Sequence, residues 1–172
     1  MKNKWAISAI ALIAASFIVL IVLGGQSIFS QNNPVPDITL TTLSGKSLRM
    51  SELRGKVVLV NFWATTCTTC VGEMPQMVEA YKTFAPRGYE MVAVAMAYDR
   101  PDWVLNFTRQ HGLPFAVALD IKGEAEQAFG GVRLTPTSFL IDKQGRIVQR
   151  YLGEPDFARL HQKIEALLKQ PV

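Results

Sequence analysis

Residues Val57 to Trp63, VVLVNFW, make a strand-length apolar run with a single polar residue, Asn61, inside it. A strand with no polar face is stable only where both faces of its sheet are covered, so this run predicts a central strand. The chain around it alternates. ITLTTLSGKSLRM reads as a short hairpin turning at Ser44-Gly45. A helix is expected from about Cys67 to Phe84, with Met74, Met77, Val78, Tyr81 and Phe84 along one face. YEMVAVAMA is a second buried strand, and RPDWVLNFTRQHG a helix with Pro101 near its start and Gly112 past its end. PFAVAL is a short strand and KGEAEQAFG a short helix. TSFLI and RIVQRYL flank the turn DKQG as an antiparallel hairpin. The last helix opens near Pro155 and buries Phe157, Leu160, Ile164, Leu167 and Leu168. This order predicts an α/β domain over 37–172, with a mostly parallel central sheet, an antiparallel edge hairpin and flanking helices.

Composition permits such a core, with 49% apolar and 19% charged residues in a chain of one-domain length. The net charge of +4 is spread without a block of five or six like charges. No basic stripe with interleaved aromatics is present, so nothing points to nucleic acid.

The first thirty-six residues are a separate matter. Lys2 and Lys4 precede a span from Trp5 to Leu23 with no charge and no proline. As a helix it would cover roughly 28 Å at about 1.5 Å per residue, close to the thickness of a bilayer's hydrocarbon core. The two lysines hold residues 1–4 in the cytoplasm and send the rest of the chain outward. A cleaved signal peptide is the alternative. Its apolar core would be longer than usual, and no A-x-A site follows. Both readings export the domain. Residues 24–36, GGQSIFSQNNPVP, read as a linker.

Cys67 and Cys70 are the chain's two cysteines, three residues apart, where the buried strand ends and a helix begins. An exported domain sits where structural disulfides are common. A bridge across so small a loop removes little unfolded-state entropy, however, so it is a poor staple. A helix start supplies unpaired N–H groups and a positive dipole end. That environment lowers the first thiol's pKa and makes Cys67 a nucleophile. The spacing keeps Cys70 within reach to resolve a mixed disulfide on Cys67.

A structural zinc site needs four ligands. The whole chain offers Cys67, Cys70, His111 and His161 to such a site, with no second C-x-x-C. The histidines read as structural or solvated. No cofactor motif appears.

The stretch VVLVNFWATTCTTCVGEMP resembles the active-site segment of thioredoxin-like proteins of the TlpA/ResA type, membrane-anchored thiol–disulfide oxidoreductases that face outward. The similarity runs from about Pro36 to Leu168 and includes Pro75 and LTPTSFLIDKQGRIV. The stretch between Tyr98 and Gly131 looks like the strand-and-helix insert of this group. The resemblance implies a thioredoxin-like fold with an N-terminal transmembrane helix. It makes Cys67 the nucleophile, Cys70 the resolving cysteine and Pro136, after Thr135, a cis-proline shaping the substrate groove. Glu73 matches an acid proposed to manage the Cys70 proton. Its alternative is a solvated acid favoured by the helix dipole. Asn61 stands where many thioredoxins have a buried aspartate, which leaves Glu73 the nearer base. The sequence departs from the family at Thr66, where tryptophan is usual, and at Thr68-Thr69, where proline is common. These threonines lie on the rim that meets a partner, where their hydroxyls can bond the Cys67 thiolate.

The expectation is an envelope-facing thiol–disulfide oxidoreductase, a reductase of protein disulfides without metal or cofactor, of the kind used in cytochrome c maturation. It is anchored by one pass in the cytoplasmic membrane, meets disulfide-containing proteins and draws electrons from a membrane donor. Two alternatives remain. One is a copper metallochaperone using the cysteine pair, with Met74 nearby. The other is a thiol peroxidase on the same fold, although Ala64 and Val60 stand where peroxiredoxins carry threonine and proline.

Overall fold

The computed structural model describes residues 33–171. The anchor or signal span expected over 5–23, and the linker through residue 32, lie outside the described residues. Among the described residues no helix is long and apolar enough to cross a membrane.

Val57–Trp63 (β3) is the centre of a five-stranded sheet, buried along its whole length. One neighbour is Tyr89–Ala95 (β4), followed outward by Ala116–Leu119 (β5). The other neighbour is Thr137–Ile141 (β6), followed by Ile147–Leu152 (β7). β4 runs parallel to β3, and β5 parallel to β4. β6 is antiparallel to β3 as well as to β7. The sheet is therefore mixed, two parallel and two antiparallel pairings, not mostly parallel as the sequence predicts. The reason is the connection. A parallel return needs a crossover, usually a helix, that carries the chain back along the length of a strand. The helix after β5, Glu124–Ala128 (α3), has only five residues, about 7 Å at 1.5 Å per residue. The chain stays at the same end of the sheet, and β6 runs back from there.

Alternation along β3 divides the core in two. Val57, Leu59 and Trp63 face three helices, Thr68–Phe84 (α1), Pro101–His111 (α2) and Phe157–Leu168 (α4). Val58, Val60 and Phe62 face α3, a 3-10 turn at Met50–Leu53 and the leading hairpin, Thr39–Thr41 (β1) with Ser47–Arg49 (β2). The hairpin also shields the free edge of β5 through Leu43 N–H to Val117 O at 2.8 Å.

α1 buries Cys70, Glu73, Met74, Met77, Ala80 and Phe84, while Val78 and Tyr81 sit half-buried at the stripe's border. Each large apolar side chain on that face stabilises the packing by about 1.5–3 kcal/mol. α2 ends at Gly112, whose φ of 56° is the left-handed conformation that favours glycine. α4 opens on Asp156, which accepts from Arg159 N–H at 3.1 Å.

Residues 33–35, read in the sequence as linker, are part of the fold. Asn33 O accepts from Ile147 N–H at 2.8 Å, and Val35 N–H donates to Gly145 O at 2.9 Å. This contact is at the β6–β7 turn. Ile141 before that turn pairs with Val58, so the turn lies at the end of the sheet opposite the C-terminal end of β3.

Candidate active site

At the C-terminal end of β3 the chain makes a turn, with Cys67 N–H donating to Ala64 O at 3.1 Å. The turn delivers Cys67 to the N-cap of α1. There its sulfur accepts from Cys70 N–H at 3.1 Å, and its backbone is extended, with φ −89° and ψ 105°. Cys67 and Cys70 are joined in a disulfide with their Cα atoms 5.2 Å apart. The two cysteines differ in exposure, Cys67 being half-buried and Cys70 0% exposed. Thr66, Thr68 and Thr69 are all exposed around them. In this oxidised form the partner on the Cys67 sulfur is the Cys70 amide, not a threonine hydroxyl.

Glu73 lies one turn beyond Cys70 and is 0% exposed, so it is not a solvated acid of the first turn. Asn61, on β3, donates one amide hydrogen to Glu73 Oε1 at 3.0 Å and the other to Ser138 Oγ at 2.9 Å. Ser138 is Asn61's cross-strand partner on β6. Glu73 Oε2 and Asn61 Oδ1 are buried without a partner among the described residues. Burial pushes the Glu73 carboxyl up to about 7, against the Asn61 hydrogen bond, which lowers it; the nearby Glu154 carboxylate adds to the rise. A buried acid that titrates near neutrality, on the same helix stripe as the buried thiol, is suited to take and return a proton.

The Thr135-Pro136 peptide is cis. Pro136 is buried, and its carbonyl accepts from Gly153 N–H at 2.8 Å. Thr135 is half-buried, with its hydroxyl 3.3 Å from Tyr98 OH. Pro75 lies within α1 and is exposed.

The candidate metal ligands do not converge. Met74 is 2% exposed and packed in the core. His161 meets Phe84, at the opposite end of α1 from Cys67, with ring centroids 5.2 Å apart. His111 stacks on Phe107 at 4.1 Å. Among the described residues no three His, Cys, Asp or Glu side chains gather so as to hold a metal ion.

Two features escape a sequence reading. Ser138 gives no signal, because its role depends on strand register. Asp99, 7% exposed, accepts from Thr65 N–H at 2.6 Å through Oδ2 and from the Thr65 hydroxyl at 2.6 Å through Oδ1. The sequence YDRPD marks Asp99 only as a residue before a proline-led helix; nothing in it points to Thr65.

A Redoxin family model matches residues 30–165. The thiol–disulfide oxidoreductase ResA of Bacillus thuringiensis is 40% identical over 135 residues, covering 78% of this chain and 75% of that protein. ResA of Bacillus subtilis is 34% identical over 140 residues, 81% of this chain and 77% of that one. A solved thiol:disulfide interchange protein of the thioredoxin family from Chlorobium tepidum superposes with a TM-score of 0.74 at 31% identity. It covers 81% of this chain and 98% of its own.

Proposed function

This chain belongs to the Redoxin family and is a ResA-type thiol–disulfide oxidoreductase; from that premise we propose that it reduces disulfides of exported proteins, cytochrome c precursors among them, from an anchor in the cytoplasmic membrane. The observation that carries the order of attack and resolution is the asymmetry of the pair. Cys67 is half-buried at the helix N-cap, and Cys70 is buried beside the side of α1 that carries Glu73.

The steps follow from that asymmetry. In the reduced protein the Cys70 N–H and the α1 N-terminus favour a thiolate at Cys67. The thiolate attacks one sulfur of a substrate disulfide. A Cys67–substrate bond forms, the substrate S–S bond breaks, and the other substrate sulfur leaves as a thiolate. Cys70 then loses its proton to Glu73 and attacks the Cys67 sulfur. The Cys67–Cys70 bond forms, and the second substrate thiolate leaves. Two electrons have passed to the substrate, and the protein is left as the disulfide. An electron donor in the membrane returns it to the dithiol. The rim of Thr66, Thr68, Thr69 and Thr135, with Pro136, receives the substrate chain.

The anchor part of the reading is supported by the uncharged span 5–23 behind Lys2 and Lys4. The catalytic domain then works in the periplasm or cell envelope. The test is a trap. Cys70→Ala, expressed in cells and quenched with acid, should accumulate mixed disulfides through Cys67 with exported proteins. Recovery of no cysteine-linked partner while insulin-type disulfides are still reduced by the wild type would leave the activity and remove the proposed substrate class.

A further inference from the structure

We propose that Asp99 is a positioning residue for the attacking thiol, holding through Thr65 the turn that presents Cys67 at the start of α1. Among the described residues Asp99 makes no hydrogen bond to either cysteine; its carboxylate bonds Thr65 and Arg100. It sits in the loop between β4 and α2, where its own N–H donates to Met96 O at 2.9 Å and Met96 N–H donates to Trp63 O at 3.0 Å. The loop is thereby fixed to the last residue of β3. From there the carboxylate reaches across to the neighbouring loop and takes both donors of Thr65, the N–H and the hydroxyl, each at 2.6 Å. Oδ1 also accepts from Arg100 N–H at 2.9 Å. The Arg100 guanidinium turns away to Asp102, at 3.1 and 2.9 Å, so the three bonds to Asp99 come from two amides and a hydroxyl. Hydrogen bonds to a carboxylate are about twice as strong as neutral ones, and the bond from the Thr65 hydroxyl has the short length typical of that class.

Thr65 is the first residue inside the turn closed by Ala64 O and Cys67 N–H. Fixing its amide and its side chain together leaves that turn a single orientation. The turn in its turn sets where the Cys67 sulfur meets Cys70 N–H. A helix cap alone does not require this arrangement, since Asp99 bonds the backbone of Arg100, the residue before the helix, while both oxygens are committed to Thr65. The inference rests on Cys67 being the attacking thiol, as proposed above.

The experiment uses the reduced full-length chain in detergent. It measures the rate of alkylation by limiting iodoacetamide between pH 5 and 9, with the labelled cysteine identified by peptide mass spectrometry. Thr65→Ser keeps both donors and should keep the wild-type midpoint. Thr65→Val removes only the hydroxyl at nearly constant shape, and Asp99→Asn places a donor against donors. Both should raise the pH midpoint for Cys67 labelling, by about half a unit or more, and slow insulin-type disulfide reduction at pH 7. An unchanged midpoint in Thr65→Val overturns the inference, whatever Asp99→Asn does. So does a downward shift in Asp99→Asn, which is what losing a nearby negative charge alone produces. Preferential labelling of Cys70 in the wild type would instead overturn the functional reading, and this inference with it.

Discussion

The Asn61 amide gives one hydrogen to the carboxyl of Glu73, at 3.0 Å, and both residues are 0% exposed. An ionised Glu73 would have a second oxygen with no partner among the described residues. The folded protein therefore prefers Glu73 protonated, and its pKa of about 7 stands above the ordinary 4.5. A group whose folded pKa is raised contributes stability that is complete below the unfolded pKa and is lost as pH rises through the folded one. Between pH 5 and 8 the oxidised protein should lose on the order of 2–3 kcal/mol from this group. Glu73→Gln keeps the acceptor for Asn61 and should flatten that loss, as read by urea unfolding at the two pH values. A wild-type protein more stable at pH 8 than at pH 5 would contradict the burial argument.

The same substitution has a kinetic consequence. Glutamine cannot take a proton from Cys70, so resolution of the mixed disulfide should slow, by up to about 10²–10⁴-fold for full general-base help. The first attack, by Cys67, should change little. Stopped-flow reduction of a model disulfide separates the two phases. A Glu73→Gln protein whose second phase keeps its rate from pH 6 to 9 would leave Glu73 without a role in proton transfer.

Asn61→Ala turns the argument round. The Asn61 hydrogen bond is the interaction that lowers the Glu73 pKa against its burial. Removing it should move Glu73 further up and shift the pH profile of the resolving phase to higher pH. It also strips Ser138 Oγ of its donor. A profile displaced to lower pH would show that Asn61 acts on Glu73 in some other way.

Much of this site was legible in the chain itself. The strand VVLVNFW, the helix start at Cys67 and the order of elements followed from apolar period and breaker residues, because those signals are local. The orientation of β6 was not legible, since it depends on whether a five-residue helix can carry the chain back along a strand. The burial of Glu73 was hidden for a similar reason. It occupies an apolar position of the α1 stripe, and only the docking of α1 on β3 tells a buried acid from a solvated one. The Asp99–Thr65 contact joins residues 34 apart in sequence, which no pattern of residue types announces.

The span 5–23 bears on topology. If it is an anchor, the protein extracted from native membranes should keep Lys2 and Lys4, and only detergent should release it. Mass spectrometry of the intact chain reads this directly. A mature N-terminus near Ile28 would replace the anchor by a cleaved signal peptide, with export unchanged.

The division of labour between the cysteines is the sharpest expectation. Cys67 is half-buried and has the Cys70 amide on its sulfur, while Cys70 is 0% exposed. A thiolate at Cys67 gains from the unpaired amides of the first turn, which do not converge on Cys70. A limiting thiol reagent at neutral pH should therefore label Cys67 first in the reduced protein. Cys67→Ser should lose both fast labelling and insulin-type disulfide reduction. Cys70→Ser should keep the fast thiol and accumulate mixed disulfides that persist until an external thiol is added. Faster labelling of Cys70, or turnover that survives Cys67→Ser, would reverse the assignment of attack and resolution while leaving the fold as it stands.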